Sequence, residues 1–237
     1  MKSEIILKHN FKINVMKTKL FLLLIFASSI LFAQDSIQNK KRETRLIAFT
    51  PLSSKIETVN GLTIGVGLDD IIQPNSTKKT INGINLDVNP LGFLIFCFYD
   101  TSKINNTVDV LQQNGLNLSL AGFLRNNSQN GVNISMYNYG SKMNGISVTA
   151  VGNSVKELNG MYVGIFGNYA EKGSGITIGG SNSVENFNGI QVGIFNQSNK
   201  INGLQIGLIN KNKTGRNFQI GFWNKNAKRQ LPLINWN

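Results

Sequence analysis

Two consecutive stretches of the sequence decide the fold: NGIQVGIFNQSNKI at residues 188–201 and NGLQIGLINKNKTG at residues 202–215. Each begins with Asn-Gly, carries a second Gly at position six and a second Asn at position nine. Asn and Gly both tolerate the positive φ that a sharp bend requires. Each stretch therefore predicts a bend followed by one short strand.

Aliphatic and small or polar residues alternate after each bend. Leu204, Ile206 and Leu208 alternate with Gln205 and Gly207. An alternation of period two is typical of a β-strand with one apolar face. Because apolar faces are usually buried, the pattern predicts that the three aliphatic residues point inward. Gln205 is expected to face outward or into a polar lumen.

The same unit occurs ten times. The units begin at Asn60, Asn82, Asn114, Asn130, Asn144, Asn159, Ser174, Asn188, Asn202 and Arg216. From Asn114 onward the steps are 16, 14, 15, 15, 14, 14 and 14 residues, and the two earlier steps of 22 and 32 contain insertions. A regular period indicates a repeat architecture, in which one unit becomes stable only against its neighbours.

Two all-β architectures fit a repeat of 14–15 residues. In a parallel β-solenoid, which is favoured because every connection looks alike, Asn188 stacks on Asn202 and Asn196 stacks on Asn210. In an antiparallel up-and-down sheet or a ten-strand barrel, Asn188 approaches Asn210 instead. The ten units are an even number, as bacterial membrane barrels usually have.

The composition excludes several classes of protein and of site. Of 237 residues, 34 are Asn and 24 are Gly, and only 15% are charged, which argues against a helical bundle and against charge-rich disorder. The chain has one His, His9, and one Cys, Cys97, too few for a zinc site of His and Cys ligands. We expect no catalytic residues, no metal, no cofactor and no enzyme activity.

The N-terminus resembles an export signal. Lys17 and Lys19 precede an apolar run from Leu20 to Phe32, which Ala33 ends. This order is typical of a secretory signal peptide, so residues 1–33 are predicted to be a presequence with a signal peptide, and Met16 is the expected start of translation. Removal of the presequence takes five of the 24 basic and one of the 12 acidic residues and leaves a net charge of +8.

The remainder divides into three predicted parts. Residues 34–59 form a lead-in, residues 60–226 form the repeat domain, and residues 227–237 form a C-terminal cap. An insertion at 90–113 contains the apolar run LGFLIFCFY, which either caps the array or touches a membrane.

The basic residues indicate binding partners and not a catalytic site. The basic residues cluster in two groups. These are Lys40, Lys41, Arg42 and Arg45, and then Lys211, Lys213, Arg216, Lys225, Lys228 and Arg229. Such groups favour an anionic envelope surface or glycans. Nucleic acid is not expected for an exported chain, whereas self-association through the solenoid ends is open.

Acidic residues give little support for glycan hydrolysis, which needs grouped carboxylates. Asp69-Asp70 is the one adjacent acidic pair in the sequence. Glu157, Glu171 and Glu185 follow at spacings of 14 and predict a solvated column of like charges.

The units NGIQVGIFN, NGLQIGLIN and NFQIGFWN, closed by KRQLPLINWN, resemble a group of exported bacterial surface-repeat proteins with degenerate repeats. The resemblance implies a surface, outer-membrane or periplasmic location in a bacterium with two membranes, and it supplies no catalytic residues. We therefore expect a non-enzymatic exported protein with a structural, adhesive or binding role. The alternatives are a small outer-membrane β-barrel or pore and a glycan-acting β-solenoid enzyme.

Overall fold

The computed structural model describes residues 42–67, 78–88, 111–120, 122 and 127–237. The predictions for the presequence, for the apolar run of the insertion and for Asp69-Asp70 lie outside these residues. Residues Arg42–Leu52 and Ile56–Asn237 form one compact unit, which contains every strand described below.

Seven strands form a single sheet in which each strand pairs with the next along the chain. The strands are β1 (Glu43–Thr50), β2 (Ile56–Gly65), β3 (Lys79–Asp87), β4 (Leu111–Ser119), β5 (Asn127–Thr214), β6 (Asn217–Lys225) and β7 (Gln230–Trp236). Pairing is parallel from β1 through β6, and only β7 runs antiparallel to its neighbour. Over the described residues this sheet is not closed into a barrel, so the parallel solenoid is confirmed and the antiparallel alternative is wrong.

The Asn-Gly pairs keep the coils in register. Asn60 pairs with Asn82 and Asn82 with Asn114, so the steps of 22 and 32 residues leave the stacking of the strands unchanged. Farther along, the Nδ2 of Asn202 donates to the Oδ1 of Asn188 at 2.9 Å. The bend asparagines of eight units therefore lie in a row along the edge of the stack, where Ser174 and Arg216 begin the other two units.

Glycine at the bend is required by the backbone and by its neighbour. Gly203 has a φ of 149°, a conformation that residues with a Cβ rarely adopt. A Cβ placed there would lie 1.9 Å from the carbonyl oxygen of Gly189 in the coil below. At the second position of the unit, Gly therefore lets the backbones of neighbouring coils come into contact.

The interior is polar where the alternation predicts it to be apolar. Leu208 is 59% exposed and Ile206 is 37% exposed, whereas Gln205 is fully buried. The prediction that the aliphatic residues point inward is wrong, because an alternation fixes the period of the side chains and not which face is buried. Stacked amide side chains can hydrogen-bond to one another, which removes the usual cost of burying them.

The second asparagine of the unit, at position nine or, in the two units of 15 residues, at position ten, forms a continuous buried ladder. Its members are Asn138, Asn153, Asn168, Asn182, Asn196, Asn210 and Asn224. Each Nδ2 donates to the Oδ1 of the next member at 2.8–2.9 Å. The Nδ2 of Asn196 also donates to the carbonyl of Ile206 at 2.9 Å, so both of its hydrogens have a partner.

The glycine at position six makes room for this ladder. A Cβ on Gly207 would lie 2.6 Å from the Nδ2 of Asn196 and 2.1 Å from the carbonyl oxygen of Gly193. Where the unit has a hydroxyl residue instead, that residue joins the network: the Oγ of Ser135 hydrogen-bonds the Oδ1 of Asn138 at 3.0 Å. The middle Gly of the motif therefore leaves the space that the second Asn needs in order to join the ladder.

A second buried row occupies position four. Toward the N-terminus it contains Thr63, Asn85, Asn117, Asn133 and Ser147, and toward the C-terminus it contains Gln191, Gln205 and Gln219. Asn235 of β7, which pairs with Gln219, extends the row. The Nε2 of Gln205 donates to Gln191 and the Nε2 of Gln219 donates to Gln205, both at 2.8 Å. Between these segments lie Tyr162, whose hydroxyl donates to the carbonyl of Met143, and Thr177.

Aliphatic and aromatic residues fill the remaining part of the interior. One cluster contains Met143, Val155, Leu158, Tyr162, Ala170, Val184, Phe187 and Ile201. Met143, Leu158, Phe187 and Ile201 are the residues that directly precede an Asn-Gly or its degenerate equivalent in four of the units. A second cluster, nearer the N-terminus, contains Ala48, Leu52, Ile56, Val59, Ile81 and Leu111.

Disulfide crosslinking can test the parallel register. A Cys pair at Asn188 and Asn202 should crosslink readily, because their side chains already meet at 2.9 Å. Asn188 and Asn210 lie at opposite ends of the equivalent segments in neighbouring coils of β5, so a control Cys pair at these positions should stay reduced. Efficient crosslinking of the control pair, with none at 188/202, would establish antiparallel pairing.

Candidate functional site

The outward side of the coils carries a continuous apolar surface, which we call the aliphatic face. Over the last five coils it comprises Val163, Ile178, Val192, Ile206 and Ile220 at position five, and Ile165, Ile194, Leu208 and Phe222 at position seven. These residues and the intervening glycines line a groove of about 740 Å³. Exposed apolar surfaces of this extent mark sites of interaction.

Aromatic side chains extend the aliphatic face at the next corner of the coil. This aromatic corner consists of Phe166, Phe195 and Trp223, each directly after a position-seven residue and each at least 41% exposed. Two outward residues in succession mark the bend at which the chain turns from one side of the coil to the next. The corner therefore joins the aliphatic face to the polar side.

Three lysines meet just beyond the aromatic corner. Lys211 pairs in register with Lys225, and both are exposed two residues after the corner positions of their coils. With Lys213 they border a hollow of about 200 Å³, which we call the lysine hollow. Gln197, Ser198, Asn199 and Asn212 complete its lining.

Three other members of the predicted basic clusters are engaged elsewhere. Arg229 stacks on the ring of Trp236 at 4.2 Å. Arg42 is ion-paired with Glu57, and Arg45 with Glu43, in both cases at 2.8 Å. The structure therefore assembles only part of the second cluster, the three lysines of the hollow, into one site.

Charge is distributed unevenly along the chain. Residues 186–237 contain seven Lys or Arg and no Asp or Glu. The aliphatic face thus ends, toward the C-terminus, in a region of purely positive charge, and the lysine hollow lies within it.

Glu157 does not join the predicted column of like charges. The Oε1 of Glu157 lies 3.1 Å from the Nζ of Lys142, and its Oε2 lies 3.0 Å from the Nζ of Lys172. The reason is that two of the units here have 15 residues, so each stacked neighbour of Glu157 is a lysine 15 positions away. Cations and a carboxylate therefore alternate at this edge.

Glu157 is held ionised by its neighbours. The Nδ2 of Asn159 donates to Glu157 at 2.9 Å and, together with the two lysines, lowers the pKa of Glu157 to about 2. Glu157 lines a polar groove of about 470 Å³ along the bend asparagines, with Lys172, Ser174, Asn188 and Lys200 among the other lining residues.

Asp87 is a buried carboxyl group near the N-terminal end of the stack. Burial raises the pKa of Asp87, while hydrogen bonds from Asn85 and from the Oγ1 of Thr50, at 2.7 Å, act in the opposite direction. Its partners belong to the inward polar rows, so Asp87 takes part in the packing of the interior.

No cluster of His, Cys, Asp or Glu suited to a metal ion occurs among the described residues. Within the same ranges, no helix has the length and apolar character needed to cross a membrane. Comparison with known proteins adds no relative, because the chain matches no family model, no curated protein and no solved structure.

The pKa of Glu157 predicts how stability depends on pH. Because the pKa is about 2 in the folded chain and ordinarily 4.5, the ionised group stabilises the fold above pH 4.5, and this contribution is lost as the pH falls toward 2. Glu157→Gln should therefore cost about 1 kcal/mol at pH 7, the scale of partly exposed ion pairs. Thermal melts at pH 7 and pH 2.5 should show the difference from wild type at pH 7 and little of it at pH 2.5.

Glu185→Gln, an exposed glutamate, is the matched control. It should melt close to wild type at both pH values. An equal loss for the two variants at pH 7 would contradict the ion-paired arrangement at Glu157.

Proposed function

We propose that this chain is a non-enzymatic, exported scaffold of the bacterial envelope, which binds an envelope component through its outward apolar side. The single observation that carries the proposal is the aliphatic face, which stacking extends from coil to coil. Leu208 is 59% exposed and Phe222 is 74% exposed on this surface. A chain in water gains from covering such a surface, so a partner is the natural occupant.

The construction of the interior supports a scaffold role. The asparagine ladder and the position-four row occupy the inward side of the coils with amides that bond to one another. The interior side chains are thus used for cohesion between coils, and the side chains free to meet a partner point outward. Repeat stacks present extended binding surfaces in this way.

The proposed location rests on sequence. The basic start at Lys17, the apolar run to Phe32 and the small residue Ala33 have the order of a secretory signal. The resemblance to exported surface-repeat proteins points to the same compartment. An apolar outward face is also easier to reconcile with an envelope, which offers apolar partners, than with free diffusion.

Cell fractionation tests the proposal. Expressed with its own presequence in a bacterium with two membranes, the chain should appear in the envelope fraction and begin at Gln34. Phe222→Ser should move it to the soluble periplasmic fraction without loss of thermal stability, because Phe222 is already exposed. Tyr169→Ser, an exposed aromatic off the aliphatic face, is the control and should stay in the envelope.

Two results would contradict the proposal. An intact Met1 or Met16 on cytoplasmic protein would rule out export. Retention of Phe222→Ser in the envelope, to the same extent as wild type, would show that the aliphatic face is not the binding surface.

A further inference from the structure

We propose that the C-terminal end of the aliphatic face docks onto an anionic phospholipid bilayer, with a lipid phosphate in the lysine hollow. This inference rests on the proposed function and names its partner. The apolar side chains would enter the boundary between headgroups and acyl chains, while the lysines stay at the level of the phosphates. The chain would lie on the bilayer surface and not cross it.

The order of side chains around the coil matches the layers of such a surface. Leu208 and Phe222 belong to the aliphatic face, and Trp223 lies at the corner. Lys211 and Lys225 each follow two positions after the corner residue of their own coil. Apolar residues, then an aromatic residue, then cations is the order found where proteins sit at a membrane interface. Here one coil supplies all three within four residues, Phe222 to Lys225.

Charge complementarity selects an anionic surface. The last 52 residues carry seven basic and no acidic residues. Lys211, Lys213 and Lys225 border one hollow of about 200 Å³, so their charges act on the same small volume. Each basic residue near an anionic bilayer strengthens partitioning by about fivefold.

A second copy of this chain is a poorer occupant. It would bring the same cations, and most of its described carboxylates are already engaged. Glu43, Glu57 and Glu157 are ion-paired, and Asp87 is buried. Glu171 and Glu185 alone could not balance seven cations on a facing copy. An acidic glycan would match the charge but leaves the apolar side chains exposed to water.

Trp223 provides a local reporter of docking. The chain has two tryptophans, so Trp236→Phe leaves Trp223 as the one fluorophore of this kind and keeps an aromatic ring beside Arg229. Titration of this full-chain variant with phosphatidylglycerol vesicles should shift Trp223 emission to the blue. Brominated acyl chains should quench it. Pure phosphatidylcholine vesicles should do neither at the same lipid concentration.

Matched charge variants locate the contact. In the same background, Lys211→Gln/Lys225→Gln should weaken partitioning into phosphatidylglycerol vesicles about 20-fold, because both lysines lie at the hollow. Lys78→Gln/Lys156→Gln removes the same charge at least four coils away, leaves the ion pairs of Glu157 intact and should change partitioning less than twofold. Melting temperatures that match the parent would confirm that both variants fold.

Four outcomes would overturn the inference. These are unchanged Trp223 emission with phosphatidylglycerol, equal binding to phosphatidylcholine, equal effects of the two lysine pairs, and a blue shift without lipid that accompanies dimerisation in the ultracentrifuge. If vesicles fail while Phe222→Ser still releases the chain from the envelope, the proposed function stands and its partner is a protein or glycan. If Phe222→Ser has no effect on location but Lys211→Gln/Lys225→Gln weakens vesicle binding, the proposed function is wrong and the lipid-binding inference stands.

Discussion

The structure depends on one constraint: each asparagine of the buried ladder must find its partners in the coils above and below. Asn196 accepts from Asn182 and donates to Asn210, at 2.9 and 2.8 Å, and its second hydrogen goes to a backbone carbonyl. An unpaired buried amide costs about 1–3 kcal/mol, whereas a paired one is a net gain of about 1 kcal/mol. The ladder therefore favours an Asn at the equivalent place in each of its seven coils and disfavours a shift in register.

The same constraint accounts for the outward apolar surface. In the unit that begins at Asn202, Gln205 and Gly207 occupy the inward side of the strand. Because side chains alternate along a strand, Leu204, Ile206 and Leu208 must point outward. Since consecutive coils stack in parallel, the aliphatic residues of neighbouring coils lie side by side and form a face. The exposed aliphatic side chains gain no free energy of burial within the stack, and only a partner can supply it. The polar interior is thereby linked to the proposed binding role.

Much of the fold follows from the sequence, because the repeat spacing and the Asn-Gly bends require stacked, parallel coils. The stacking of Asn188 on Asn202 and of Asn196 on Asn210 is an example. The alternation predicts the wrong inward face, because the hydrophobicity of Leu204 favours its burial, whereas Gln205 and Asn210 are buried by pairing with their equivalents in neighbouring coils. The repeat motif does not predict β1 as a coil of the stack either, because Ala48 and Thr50 point inward there without an Asn-Gly to mark the bend. The lysine hollow could be predicted only as a basic cluster, since which lysines meet depends on the register between coils.

The most direct test of the central claim is the stability of Asn196→Asp, measured by thermal and urea unfolding against Asn199→Asp. Both variants add one negative charge to the same coil, but Asn196 is buried in the ladder and Asn199 is exposed. A carboxylate at 196 can accept from Asn182 but cannot donate to Asn210 or to the carbonyl of Ile206. We expect Asn196→Asp to lose about 3–5 kcal/mol at pH 7 and to recover part of it in acid, where a protonated carboxyl can donate again. Asn199→Asp should lose less than about 0.5 kcal/mol. Equal stability of the two variants at pH 7 would contradict a stack held together by its buried amides.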